Sequence, residues 1–260
     1  MIMLNLTRSA FLRSALLGLC TAGLLTACGG GGQDDNVWSV GTEPAFPPFE
    51  SVGEGDELVG FDIDLMRAVA EKAGKTVEFQ SLPFDGLIPA LQGGSIDAAI
   101  SGMTITEERE KTIDFSDPYF DAGLAIAVAE GTTDVTSLDD LEGKRIAVQI
   151  GTTGAEAAAS VADAKVSTFD SAPLALQELA NGNVDAVVND APVTLYAIAT
   201  GNIPGITVVG ELLTEENYGI ALPQNSENLE AVNTGLAAIK ADGTYDALYE
   251  KWFGTAPLAQ

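Results

Sequence analysis

Short apolar runs alternate with helical patterns along the chain after residue 36. Apolar runs at residues 37–40, 77–79 and 96–100 have the length of buried strands. Between the first two runs, apolar side chains recur at helical spacing before Gly74: Ile63, Met66, Val69, Ala70 and Ala73. A shorter helix is expected at residues 85–91. Strands that alternate with helices in this way predict a sheet with helices on its faces.

The second half of the chain repeats the pattern. Strands are predicted at residues 124–129, 145–150, 165–169 and 184–188, and helices at residues 138–141, 153–161 and 173–180. One more strand at residues 218–222 and two helices at residues 226–241 and 245–252 complete the chain. The pattern therefore predicts two α/β lobes.

The first residues have the pattern of a secretory signal. Arg8 and Arg13 precede an apolar run at residues 15–25 that is too short to span a bilayer as a mature helix. We expect residues 1–27 to be a signal peptide and residues 28–36 to be a flexible, glycine-rich linker that starts at Cys28. A buried or stray role for this cysteine is the alternative.

The segment Leu-Thr-Ala-Cys that ends at Cys28 resembles a lipobox. That resemblance implies that Cys28 becomes the lipidated first residue of the mature protein. Cys20 would leave with the signal, so no internal disulfide could form. We therefore expect an extracytoplasmic protein that several acyl chains anchor to a membrane.

Composition excludes several classes of function. The chain has 38 acidic and 12 basic residues, a net charge of −26, and no histidine. Nucleic acid and anionic membrane surfaces would be repelled by this charge. Without histidine, a Ser-His-Asp or Cys-His centre is impossible and the commonest metal ligand is missing. No metal-binding spacing or phosphate loop is present in the sequence, so we expect neither a metal nor a cofactor.

The segment at residues 101–120, SGMTITEEREKTIDFSDPYF, follows a predicted strand and opens into a helical turn. Gly102 lets the backbone come close to a ligand, and Thr104 offers a hydroxyl and an amide. Arg109 can reach back with a planar guanidinium, so the three residues suit a carboxylate. The alternative for Arg109 is a surface position where it pairs with a neighbouring glutamate.

This segment resembles the signature of the periplasmic amino-acid-binding proteins of ABC importers, in particular the glutamine and polar amino-acid branch. The likeness extends to VGFDIDL at residues 59–65, FDGLIPALQGGSIDAAI at 84–100 and GTYDALYEKWFGT at 243–255. It implies a monomeric protein with the two-lobed, type II periplasmic-binding-protein fold, in which each lobe is a mixed sheet flanked by helices. Its ligand would be an L-amino acid and its partner an ABC permease in the inner membrane.

The same resemblance implies how the chain is divided between the lobes. One lobe would take residues 37–120 and 221–260, and the other would take residues 121–220. The two hinge crossings would lie near residues 119–125 and 214–220. Such lobes close over a ligand by a hinge motion.

Matching positions in the family imply a role for each end of an amino acid. Arg109 would bind the α-carboxylate in a fork, helped by the amides of Thr104 and of Thr152 or Thr153. Asp190 would bind the α-ammonium together with the Gly102 carbonyl and the Thr104 hydroxyl. On residue type alone, a helix cap before Ala191 and Pro192 is the preferred explanation of Asp190.

Phe46 and Phe84 would hold the aliphatic part of the ligand from the first lobe, each from a loop. Residue type alone favours a core position for both phenylalanines. Specificity is assigned to Glu43, Gln149 and Asn189. The glutamine-binding branch has an aspartate, a lysine and a histidine near these three positions, and this chain has lost both basic residues. A polar neutral amino acid such as glutamine is therefore the first expectation, with arginine or lysine next and cystine possible.

Two other functions use the same fold. Cyclohexadienyl-dehydratase-like enzymes act on carboxylated rings, and Glu43 would be the obvious general acid or base here. A ligand-sensing module that reports to a membrane receptor would have the same residues. We expect a binding protein and no enzyme.

Overall fold

The computed structural model describes residues 36–257. Its strands are β1 Val37–Thr42, β2 Ala45–Phe46, β3 Glu50–Val52, β4 Leu58–Val59, β5 Thr76–Ser81, β6 Ala98–Ala99, β7 Ile113–Phe115, β8 Phe120–Ala122, β9 Leu124–Ala129, β10 Arg145–Gln149, β11 Lys165–Phe169, β12 Ala186–Asp190, β13 Ile206–Val209, β14 Glu216–Tyr218 and β15 Ala221–Pro223. Its α-helices are α1 Phe61–Lys72, α2 Phe84–Gln92, α3 Thr153–Ala159, α4 Ala172–Ala180, α5 Ala191–Ala199, α6 Leu229–Ala241 and α7 Thr244–Phe253.

The first sheet has the strand order β5-β1-β6-β15-β7. Strand β1 runs parallel to β5 and β6, whereas β15 is antiparallel to β6 and β7. Ala98 packs in a core with α1, α6 and α7, and the next residue, Ala99, packs in a separate core with α2. Successive residues of a strand point to opposite faces, so helices cover both faces of this sheet.

The second sheet has the strand order β11-β10-β12-β9-β13. Strand β9 is buried from Leu124 to Val128, as expected for a strand covered on both faces. Ile126 packs toward α3, whereas Ala127 packs toward α4 and α5. The mixed α/β class with a sheet in each of two lobes is thus as predicted.

The chain passes between the two sheets twice. Strand β8 leads from the first sheet to β9, and β14 leads back toward β15. These two strands pair antiparallel, with Phe120 opposite Tyr218 and Ala122 opposite Glu216. Both lie within the segments expected for the crossings. The exact boundaries between the lobes remain a prediction.

Two local predictions were wrong in detail, and two elements were missed. Phe84 is the first residue of α2 and does not lie in the preceding loop, because Pro83 is the N-cap. The predicted strand at residues 218–222 is two strands, β14 and β15. The chain separates there because the Gly219 N–H donates to the Met103 carbonyl. Helix α5 and strand β13 were not predicted, since α5 is apolar over most of its length and shows little periodicity.

The predicted signal peptide and Cys28 lie outside the described residues. Among residues 36–257, none of the helices has both the length and the apolar character required to cross a membrane.

Candidate ligand-binding cleft

A small cavity lies where the carboxyl ends of strands from the two sheets face each other. Eight of the predicted ligand-binding residues line it: Phe46, Phe84, Gly102, Thr104, Gln149, Thr152, Thr153 and Asp190. The first four follow strands of the first sheet, and the last four lie at the ends of β10 and β12 or at the start of α3. The structure therefore brings together most of the candidates that are scattered along the sequence.

Arg109 is buried beside this cavity and does not make the surface ion pair considered above. Its Nη1 donates to the Thr104 carbonyl at 2.6 Å, and its Nη2 donates to the Gly151 carbonyl at 3.0 Å. The guanidinium lies 5.5 Å from the centre of the Phe84 ring. Burial lowers the pKa of Arg109, and the charges of Glu156, Asp190 and Glu216 oppose that effect.

Asp190 faces the cavity as the last residue of β12. It occupies the N-cap position of α5, but its side chain makes no capping hydrogen bond. The carboxylate instead accepts a hydrogen bond from the Tyr218 hydroxyl. Burial raises the pKa of Asp190 from its ordinary 3.8 to about 7; the Tyr218 bond lowers it and the charge of Glu216 raises it.

Glu43 and Gln149 meet at the edge of the cavity, with Gln149 Nε2 3.4 Å from Glu43 Oε2. Burial raises the pKa of Glu43 from 4.5 to about 7, and the bond from Gln149 partly opposes this. Asn189 does not join them. Its amide donates to the Thr194 hydroxyl at 3.1 Å and to the Asp190 carbonyl at 3.3 Å, so it is directed toward α5.

The Phe46 ring packs against the backbone of Gly102. A Cβ atom at Gly102 would lie 2.8 Å from the Phe46 ring, and Gly102 has a φ of +53°. A glycine is therefore needed both for the left-handed backbone and for the close approach. Phe46 and Phe84 are 6% and 9% exposed, so both are largely buried and also line the cavity.

The start of α3 brings two threonines to the cavity. The Thr152 hydroxyl accepts from the Ala155 N–H at 3.1 Å and donates to the Gln149 carbonyl at 2.8 Å. Gly154 lets this helix approach β12, because a Cβ there would lie 2.7 Å from the Val188 carbonyl oxygen. The first turn of α3 is thereby held next to Asp190.

Sequence reasoning missed Glu216. Its Oε2 accepts from the Thr104 hydroxyl at 2.8 Å and from the Thr153 hydroxyl at 3.1 Å, and its Oε1 accepts from Thr214 at 3.1 Å. The residue opens β14, which was predicted only as part of a hinge crossing. An acidic side chain inside a predicted crossing is the signal that could have identified it.

Among the described residues, no cluster of three or more His, Cys, Asp or Glu side chains could hold a metal ion. The groups that meet in the cleft are one guanidinium, several carboxylates, hydroxyls and backbone amides. This set can bind a small polar molecule that carries both charges.

Comparison with known proteins identifies the family. Residues 38–255 match the model of the bacterial extracellular solute-binding proteins, family 3. ABC transporter arginine-binding protein 1 of Escherichia coli is 38% identical over 242 residues, which cover 90% of this chain and 98% of that protein.

Two solved structures are also similar. An ancestral arginine-binding protein bound to arginine is 52% identical, with a TM-score of 0.81 over 84% of this chain and 99% of the other. An ancestral arginine-binding protein bound to glutamine is 50% identical, with a TM-score of 0.79 over 86% of this chain and 100% of the other. These relatives are named as binding proteins and not as enzymes. The chain therefore belongs to the bacterial extracellular solute-binding proteins of family 3, and its role is to bind a solute without catalysing a reaction.

Proposed function

We propose that this protein captures a polar L-amino acid outside the cytoplasm and delivers it to an ABC permease. One observation carries the proposal: the buried carboxylate of Asp190 lines one small cavity, and the buried guanidinium of Arg109 contacts Thr104 and Phe84, which line the same cavity. An α-amino acid has one negative and one positive group at its α-carbon, so both poles would be paired. Removing either partner would leave a buried charge unpaired.

The Thr104 hydroxyl is oriented for this role. Because it donates its proton to Glu216, its lone pairs are left to accept from an α-ammonium group. The Gly102 carbonyl lies on the same loop and is the further acceptor that we assign to the ammonium. The α-carboxylate would take N–H donors from Arg109, Thr104 and the start of α3.

The charges of the cleft favour a basic side chain. The charges of Glu156, Asp190 and Glu216 act on one cation, Arg109, and Glu43 lies beside Gln149 at the edge of the same cavity. Sequence reasoning ranked glutamine before arginine and lysine, but a cationic side chain near Glu43 would offset this excess of negative charge. We therefore place arginine first and glutamine second. The similar ancestral proteins bound to arginine and to glutamine support the same pair.

A calorimetric and thermal-shift screen tests the proposal. Residues 33–260 would be titrated with each of the twenty amino acids, and melting would be followed at several salt concentrations. A ligand at 100 times its Kd stabilises the folded state by about 2.7 kcal/mol. Arginine and glutamine should raise the melting temperature, whereas their α-deaminated or decarboxylated analogues should not. Stabilisation only by molecules that lack an α-amino acid group would contradict the assigned clamp.

We also propose that Cys28 carries the lipid that anchors the protein. The Leu-Thr-Ala-Cys segment and the following glycines support this assignment. Metabolic labelling with an alkyne fatty acid in a bacterial host should label the protein. The Cys28→Ser variant should remain unlabelled and appear in the soluble fraction. Equal labelling of both would contradict the proposal.

A further inference from the structure

Two buried carboxyl groups lie directly behind the loop that carries Gly102. Glu50 is the first residue of β3 and Asp62 is the second residue of α1, and both are 0% exposed. Within the part of the chain that the structure describes, the ion pairs of Lys and Arg go to other carboxylates. Two buried negative charges side by side without a cation would be strongly unfavourable.

One oxygen of each carboxyl group has well-defined hydrogen-bond donors. Asp62 Oδ2 accepts from the Gly102 N–H at 2.8 Å and from the Tyr119 hydroxyl at 2.8 Å. Glu50 Oε1 accepts from the Ser101 hydroxyl at 2.8 Å. The Ser101 oxygen in turn accepts from the Glu43 N–H at 3.0 Å. The two carboxyl groups therefore hold the backbone of two residues that we assign to the ligand.

The other two oxygens, Glu50 Oε2 and Asp62 Oδ1, have no donor from any other described group. The two carboxyl groups are neighbours, because they accept from the adjacent residues Ser101 and Gly102, and each affects the pKa of the other. Two ionised carboxylates cannot bond to each other, since neither has a proton to donate. A single proton between the two groups would give both of these oxygens a hydrogen-bond partner.

The donors show which group carries the proton. Asp62 accepts two hydrogen bonds that favour its charged form, whereas Glu50 accepts one. Burial and then the charge of Asp62 raise the pKa of Glu50 well above its ordinary value. Burial raises the pKa of Asp62 to about 6. Other titratable groups that face the pair are Glu43, Tyr119, Tyr218 and Tyr245.

We propose that Glu50 and Asp62 share one proton, held on Glu50, and that this pair positions the Glu43 and Gly102 backbone for the ligand. The role of the pair in binding rests on the proposed function. Glu50 and Asp62 are positioning residues, because they act through Ser101 and Gly102. A similar arrangement of two carboxyl groups with one proton is expected wherever like charges share a buried site.

Infrared spectroscopy of the wild-type protein tests the shared proton without any ligand. At about pH 9, ordinary carboxyl groups are ionised, and a buried protonated carboxyl group gives a separate carbonyl band that shifts in heavy water. We expect this band in the wild type and expect Glu50→Gln to remove it. Absence of the band from the wild type, or its persistence in Glu50→Gln, would overturn the proposal.

Calorimetry with arginine tests the positioning role. Gln at position 50 keeps an N–H donor toward Asp62 and an oxygen for Ser101, so Glu50→Gln should bind within about threefold of wild type. Asp62→Asn removes a charged acceptor from Gly102 and Tyr119, and binding should weaken by about tenfold or more. Equal losses in the two variants, or no loss in either, would overturn this role.

Two results separate this proposal from the proposed function. If the wild type shows the band but binds no amino acid, the shared proton stands and the function fails. If arginine binds tightly but the band is absent, the function stands and the shared proton fails. Circular dichroism of each variant checks folding. The infrared spectrum of the wild type tests whether the proton is shared even if Asp62→Asn does not fold.

Discussion

Thr104 and Glu216 are joined by a hydrogen bond of 2.8 Å between a hydroxyl and a carboxylate oxygen. The same oxygen accepts from Thr153 at 3.1 Å. Thr104 follows the first sheet, Thr153 begins a helix on the second, and Glu216 lies in the strand that crosses between them. One carboxylate of the crossing strand thus connects ligand-binding candidates from both lobes.

Replacing Glu216 with alanine should weaken arginine binding by about tenfold, because the Thr104 hydroxyl would lose the acceptor that orients it. Calorimetry would measure the affinity. In a Thr104→Val background, the same replacement should cost less, since the oriented hydroxyl is already gone. Glu215→Ala, at the exposed neighbouring position, is the matched control. Equal losses in both backgrounds would show that Glu216 does not act through Thr104.

Arg109→Lys should weaken binding of every α-amino acid by about two to three decades. Lysine keeps the charge but cannot form the two-bonded fork to a carboxylate. Arg67→Lys is the matched control, because the Arg67 side chain is 47% exposed and lies on α1. If isothermal titration finds the two variants alike, the assigned carboxylate site is wrong.

Arginine affinity should rise with pH through about 7 more steeply than glutamine affinity. Burial raises the pKa of Glu43 to about 7 in the unliganded protein, and a cationic side chain favours its charged form. Arginine binding below that pH therefore requires Glu43 to lose a proton, whereas glutamine binding does not. Asp190 titrates in the same range but meets the α-ammonium of both ligands, so it cancels in the comparison.

Titrations of both amino acids between about pH 5.5 and 8.5 would measure this difference in slope. Glu43→Gln should remove it while leaving the common dependence on Asp190. A difference that survives in Glu43→Gln would assign the selective proton to another group.

Glu43→Gln should also stabilise the unliganded protein at high pH. A carboxyl group whose pKa is raised on folding contributes stability that is fully present below its unfolded pKa, here 4.5, and is lost as pH rises through about 7. The free energy of unfolding of the variant minus that of the wild type should therefore be larger at about pH 8 than at about pH 4, by up to about 3 kcal/mol. Urea unfolding would measure it, with the exposed Glu57→Gln as control. A difference that does not change with pH would contradict the buried, protonated Glu43.

Gly102→Ala should weaken binding by about tenfold, because its Cβ would displace the Phe46 ring from the cavity. Gly55→Ala is the matched control, since Gly55 also has a positive φ, of +70°, but nothing lies within 4 Å of its Cβ position. Gly55→Ala should lose about 1–2 kcal/mol of stability from backbone strain, and Gly102→Ala should lose more, because its Cβ also meets the Phe46 ring at 2.8 Å. Only Gly102→Ala should lose affinity for arginine. Equal affinities of the two variants would show that Phe46 is not part of the ligand site.

Much of the architecture could be predicted from the sequence because the local patterns are strong. The apolar run at residues 124–129 and the strand at residues 165–169 have the bounds expected from periodicity. Helix α5 escaped prediction because it is apolar on nearly all sides, and periodicity cannot distinguish such a helix from a buried strand.

The sequence by itself determined that the chain has two α/β lobes, because these follow from hydrophobic periodicity and the positions of glycine and proline. Most of the residues that line the cavity were expected from the resemblance to the family at matching positions. Only the tertiary structure decided that Gln149 meets Glu43 while Asn189 turns toward α5. It also brought Glu216 to Thr104, and Glu50 to Ser101, across 112 and 51 residues of chain. Side-chain direction and burial between distant segments depend on how the lobes pack, and local sequence patterns carry no information on that packing.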